Sequence, residues 1–126
     1  MNHILQYLEG KPNETKRIIG ITYTQFIDLV TQATQLHILK KNIDSLNNPT
    51  LIASGGGRKR KLTLTEEILL TLYYLHNYPT FQLLGINFNI SESSAHNIFH
   101  YWLNILRELL PESLLEQVKK KTMNIS

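Results

Sequence analysis

A chain of 126 residues fits one domain of ordinary size, long enough to bury roughly two-thirds of its unfolded surface. Its 42% hydrophobic share suits a soluble globular protein, and no apolar run reaches the ~18 residues of a membrane span. The absence of cysteine excludes disulfides and thiolate metal sites, and the start Met1-Asn2-His3-Ile4-Leu5 lacks the features of a signal peptide, so a cytoplasmic location is expected. The net charge of +3 is modest, but it is concentrated: Arg58, Lys59, Arg60 and Lys61 are consecutive, and Lys119, Lys120 and Lys121 form a second cluster. Such clusters attract polyanions, nucleic acid among them, although a solvated loop also accounts for them.

In chain order the periodicity is helical almost throughout. Ile4, Leu5 and Leu8 predict a turn or two of amphipathic helix, ended by Gly10 and Pro12. A second short helix is expected from Asn13 to Ile19, with Gly20 taking the left-handed conformation just past its end. Thr22 and Gln25 have the spacing of a capping box. Phe26, Leu29, Val30, Ala33 and Leu36 follow on one face of a helix expected to persist to about Lys40. From Lys41 to Lys61 the pattern dissolves into turn and linker residues around Asn47-Asn48-Pro49 and Ser54-Gly55-Gly56-Gly57.

Thr63 and Glu66 offer a second capping box, and Ile68, Leu69, Leu72, Tyr73 and Leu75 or His76 carry an apolar stripe to Tyr78-Pro79. Thr80 can cap a short helix through Phe88, and Ser91 a long one through about Leu110. Pro111 ends that helix or starts a last one, Glu112 to Lys121. The alternating β-branched segments of a sheet are missing. The expected fold is an all-α small helical bundle, divided into an N-terminal helical subdomain (1–45), a Gly-rich basic arm (46–62), a helix-turn-helix unit (63–121) and a tail (122–126).

The segment from Phe81 to His100 has the internal spacing of a helix-turn-helix. Close packing of its two helices requires a small residue at the fifth position, here Gly85, and the turn favours a residue that tolerates positive φ at the ninth, here Asn89. Leu84, Phe88, Ile90, Ala95 and Ile98 supply the apolar positions that join the helices. On the second helix Ala95, Ile98, Phe99, Trp102, Leu106 and Leu109 share one side, whereas Glu92, Ser93, His96, Asn97 and His100 share the other. The outer face is polar near its N-terminus, the part that enters the major groove in such motifs. Asn97 can bond an adenine edge, Ser91, Ser93, Ser94 and Thr80 can meet phosphates or bases, and His96 and His100 can donate to guanine or phosphate. Glu92 repels phosphate unless it accepts from a cytosine amino group. The run from Arg58 to Lys61 then reads as an arm that follows the DNA backbone or enters the minor groove.

The stretch from Arg58 to Lys120, notably Tyr78-Pro79-Thr80 and Ile90-Ser91-Glu92-Ser93, resembles the N-terminal helix-turn-helix region of bacterial insertion-sequence transposases of the DDE superfamily. Asn89 departs from the glycine common in that family. The resemblance implies binding to the terminal inverted repeats of a mobile element. It also implies a ribonuclease-H-like nuclease domain that this sequence does not reach, so a truncated or separately encoded DNA-binding half is expected, with no activity of its own. A homodimer or a mixed oligomer with an intact transposase is the partner expectation beside duplex DNA. A helical dimerisation module or stand-alone regulator is the alternative.

Catalytic chemistry finds little support. The two aspartates, Asp28 and Asp44, lie outside the motif, and Glu66-Glu67 is explained by a helix N-terminus. Gly55-Gly56-Gly57-Arg58-Lys59 lacks P-loop spacing. Glu92, His96 and His100, spaced by four, lack the pattern of a metal site, and no cofactor is expected. Tyr73, Tyr74, Tyr78, Tyr101 and Trp102 are read as core or rim residues rather than stacking platforms for single strands.

Overall fold

The computed structural model describes residues 3–47, 61–111 and 117–118. Every element among them is helical. Helix α1 (His3–Gly10) is followed by a 3-10 turn (Pro12–Glu14), α2 (Thr15–Ile19), α3 (Tyr23–Asn47), α4 (Leu64–Asn77), α5 (Phe81–Phe88) and α6 (Glu92–Leu109). The fold is all-α, as expected. The tail, Arg58 to Arg60 and the cluster Lys119 to Lys121 lie outside the described residues, as does most of the expected last helix; Gln117 and Val118 within it are helical.

Local chemistry explains the helix boundaries. Both expected capping boxes form: Thr22 N–H donates to Gln25 Oε1 at 2.9 Å and Gln25 N–H to Thr22 Oγ1 at 3.1 Å. At α4, Thr63 N–H donates to Glu66 Oε1 at 2.8 Å, and Glu66 N–H to Thr63 Oγ1 at 3.1 Å. Gly20 ends α2 at φ 87°, in the left-handed region anticipated for it. Residues before proline are barred from the right-handed helical region, so Leu110, ahead of Pro111, turns extended and closes α6. Tyr78, ahead of Pro79, takes the left-handed conformation at φ 52°, a costly choice for a large side chain.

Helix α3 runs to Asn47, past the expected stop at Lys40. Its inner face packs only as far as His37: Phe26, Leu29, Ala33 and His37 are buried, whereas Ile38, Leu39 and Ile43 are exposed. The core pattern therefore fades where the backbone continues, because Lys41 to Asn47 contains neither glycine nor proline to end the ladder. Near this point Lys40 Nζ meets Glu108 Oε2 of α6 at 3.0 Å, a surface pair worth little by itself.

Helix α4 is the centre of the bundle. It was expected to bury one stripe, but it packs against α2, α3, α5 and α6, so Glu66 through Leu72, Leu75 and His76 are all buried. One apolar core joins Leu5, Leu8, Ile19, Ile21 and Phe26 from the N-terminal helices to Leu69, Leu72, Leu84, Phe99 and Trp102. Cross-links fix the registers. Asn77 Nδ2 donates to Ile18 O at 2.9 Å, and Gln117 Nε2 to Gly20 O at 3.1 Å. His76 Nδ1 lies 2.7 Å from Val118 O, in a buried hydrogen bond.

The heaviest single anchor is Trp102, fully buried on α6, whose Nε1–H donates to Glu67 Oε1 at 2.7 Å. Glu67 is thus a buried acceptor and not merely a charge near a helix N-terminus. His37 completes the group: its ring lies 5.2 Å from that of Trp102, and its Nδ1 is hydrogen-bonded to Tyr101 Oη at 2.6 Å. Glu67→Leu leaves the indole N–H buried without this acceptor and should cost about 1–3 kcal/mol, whereas Glu67→Gln keeps an acceptor and should cost less. Urea unfolding followed by tryptophan fluorescence checks this; equal losses for the two variants would show that the hydrogen bond contributes nothing.

Candidate nucleic-acid interface

The interface is built on a turn of three residues between α5 and α6. Thr80 caps α5 by accepting from Leu83 N–H at 3.0 Å, and Asn89 ends it in the left-handed conformation at φ 58°. The Ile90 N–H then reaches back to Gly85 O at 2.9 Å and the Asn89 N–H to Ile86 O at 3.3 Å, the paired bonds of a Schellman ending. Ser91 caps α6, its Oγ accepting from Ser94 N–H at 3.1 Å. One helix therefore stops and the next starts with their end groups satisfied locally.

Gly85 was expected to be small so that the helices could approach. The observed constraint is closer at hand: a Cβ at Gly85 would lie 2.7 Å from Ile90 O and 3.2 Å from Ser91 C. The obstacle is the backbone of the returning turn, which cannot move without dragging the start of α6. Beneath the turn Leu84, Phe88 and Ala95 are buried, and Ile90 and Ile98 are partly buried against the core. The joint between the two helices has the composition and placement anticipated from the sequence.

Opposite this joint, Glu92, Ser93, His96, Asn97 and His100 are all exposed along α6. Their environments differ. Ser91 Oγ donates to Ser94 Oγ at 2.9 Å while capping the helix, so these two hydroxyls are engaged with each other and with the backbone. The Asn97 amide and the Glu92 carboxylate have no hydrogen-bond or ionic partner among the described residues. His96 and His100 face each other with centroids 4.3 Å apart and rest against Phe81, at 5.0 Å and 6.2 Å. They stand on a packed aromatic group that includes Tyr74, stacked on Phe81 at 4.7 Å, and Phe99. Of the aromatic residues flagged in the sequence, Trp102 is core, Tyr73 and Tyr74 are half-buried, and Tyr78 and Tyr101 are exposed.

Lys61, the last member of the basic run, is exposed. It lines a cleft of about 670 Å³ whose other wall is Ile86, Asn87, Phe88 and Asn89, at the end of α5. Lys61 therefore lies beside the turn. Arg58, Lys59 and Arg60 lie outside the described residues. Among the described residues no group of three or more histidine, aspartate and glutamate side chains could hold a metal ion, and no helix is long and apolar enough to cross a membrane.

Residues 60–112 match a protein-family model described as the helix-turn-helix of DDE superfamily endonucleases. This segment is therefore similar to the helix-turn-helix of DDE-type transposases. The match runs from the end of the basic run through α4, α5 and α6, the elements that build and support the exposed face. The family model describes the helix-turn-helix of such enzymes and not their catalytic module. No curated protein and no solved structure matches the chain significantly.

The turn yields two linked expectations. Gly85→Ala forces a backbone shift and should destabilise by about 1–3 kcal/mol. Asn89→Ala should cost about 1 kcal/mol through its left-handed backbone, whereas Asn89→Gly should be nearly neutral. Thermal melts by circular dichroism measure all three; a Gly85→Ala variant as stable as the parent would mean that the turn is not held as described.

Proposed function

We propose that this chain binds double-stranded DNA by inserting the N-terminal half of α6 into the major groove, and that its cognate sites are the terminal inverted repeats of a mobile element. The observation that carries the reading is the outward face of Glu92, Ser93, His96, Asn97 and His100, held on a rigid helix by a turn with the register of a helix-turn-helix. Rigid presentation matters because base edges are read by hydrogen bonds that tolerate little misalignment.

Within that reading the roles divide by chemistry. Asn97, unpartnered and exposed, is suited to bond the N6 and N7 positions of adenine in bidentate fashion. Ser93 and the two histidines can reach bases or phosphates, and Glu92 can accept from a base amino group. Thr80 and Ser91 cap their helices, and with Ser94 in the first turn of α6 they place hydroxyls at helix N-termini, where backbone phosphates are favoured. Arg58, Lys59, Arg60 and Lys61 supply the sequence-independent attraction, binding the backbone beside the turn. The chain acts as the targeting component of transposition, and these residues bind DNA without cutting it.

Fluorescence anisotropy with duplexes bearing terminal inverted repeats of mobile elements, beside random duplexes, tests the proposal. Affinity should fall as salt rises, with a log–log slope of about −0.9 for each phosphate neutralised. Replacing Arg58 to Lys61 with glutamine should weaken binding to all duplexes alike and flatten that slope. Asn97→Ala should relax preference at one base pair by about 1–3 kcal/mol while leaving the slope unchanged. Equal affinity for the repeats and for random duplex would contradict sequence-specific recognition.

A further inference from the structure

A cleft of about 500 Å³ opens on the exposed face between the start of α5 and the start of α6, lined by Phe81, Ser91, Glu92, Ser93, His96 and Asn97. Five of these side chains are polar, and they are the ones a DNA-reading helix would be expected to present. Phe81 is the exception. It occupies the first position of α5, directly after the capping Thr80, and is only partly buried. The other phenylalanine of this helix, Phe88, is buried at the joint.

Phe81 is also rigid. Its ring stacks on Tyr74 at an interplanar angle of 8°, and the rings of Phe99 and His96 stand against it at 5.8 Å and 5.0 Å. A single apolar ring, braced from beneath, thus forms the floor of a cleft whose rim is polar. In the major groove each A·T pair displays the N6 and N7 of adenine beside the 5-methyl of thymine, the one apolar group on any base edge there. Asn97 and Phe81 offer the matching amide and apolar surface in one cleft. Glu92 adds an acceptor that suits the amino group of a neighbouring base and repels the O6 of guanine.

From this juxtaposition we infer that Phe81 is a specificity-determining residue, packing against a thymine methyl group while Asn97 reads adenine in the same or the adjacent base pair. The inference rests on the proposed insertion of α6 into the major groove. It adds a contact from the first helix of the motif, so that the start of α5 takes part in reading sequence.

The test begins with the full chain selecting from a pool of duplexes with a randomised 20-base-pair core. Each thymine of the enriched duplex is then replaced singly by deoxyuridine, which removes only the methyl. One replacement should weaken binding about fourfold, the effect of one methyl-sized group leaving an apolar contact. Phe81→Ala should bind the parent duplex more weakly and show no further loss at that position. Since Phe81→Ala also thins the aromatic packing, a second measurement uses the unmodified chain. 5-Iodouracil at the sensitive position should, on irradiation, crosslink to Phe81. Indifference to every deoxyuridine, an undiminished methyl effect in Phe81→Ala, or a crosslink outside the cleft would overturn the inference. Failure to enrich any sequence would instead overturn the underlying reading, and this inference with it.

Discussion

The carbonyl of Gly85 fixes how α5 meets α6. It accepts from the Ile90 N–H, and the space where a side chain would stand is taken by the Ile90 carbonyl and the Ser91 backbone. The turn can be this short because Asn89 adopts the left-handed conformation and Ser91 begins the next helix at once. Lengthening or loosening it would rotate α6 about its axis. A rotation of one residue, about 100°, would bury Asn97 or expose Ala95, so the outward face depends on this backbone contact.

The far side of α6 answers that constraint. Trp102 is buried against α3 and α4 and is tethered to Glu67, and Ala95, Phe99 and Leu106 continue the same stripe. The helix is therefore held at its start by a turn and at its middle by a hydrogen-bonded indole. This arrangement leaves the N-terminal half of its outer face exposed. The N-terminal helices contribute by closing the core around α4: α2 packs on α4, and α3 packs on α6 through His37. Lys61, the described member of the basic run, lies beside the end of α5 and the turn.

Much of this was legible in the sequence, for physical reasons that differ by element. Gly85, Asn89 and Ser91 were informative because each answers a local backbone requirement that few residue types meet. The same holds for Thr22 with Gln25 and Thr63 with Glu66, where two side chains satisfy two backbone groups over a fixed spacing. What escaped the sequence depends on partners distant in the chain. Glu67 looked like a charge placed for a helix dipole, and its role as a buried acceptor appears only when Trp102 is brought to it. His37 gave no signal, although it packs between Tyr101 and Trp102. Phe81 passed as an ordinary helix residue, since its place on the floor of a polar cleft follows from the crossing of α5 and α6. The end of α3 was set too early because the apolar pattern fades at Lys40, where packing stops but the helix does not.

The proposed DNA-reading surface is the outward face of α6, set by the Gly85 turn. Amide chemical-shift mapping by heteronuclear NMR, with a selected duplex titrated into the isotopically labelled chain, tests it most directly. The largest shifts should fall between Thr80 and His100, on Ser93, His96 and Asn97 above all, with a further group at Lys61. Shifts centred instead on the exposed side of α3, around Ile38, Leu39 and Ile43, would contradict it.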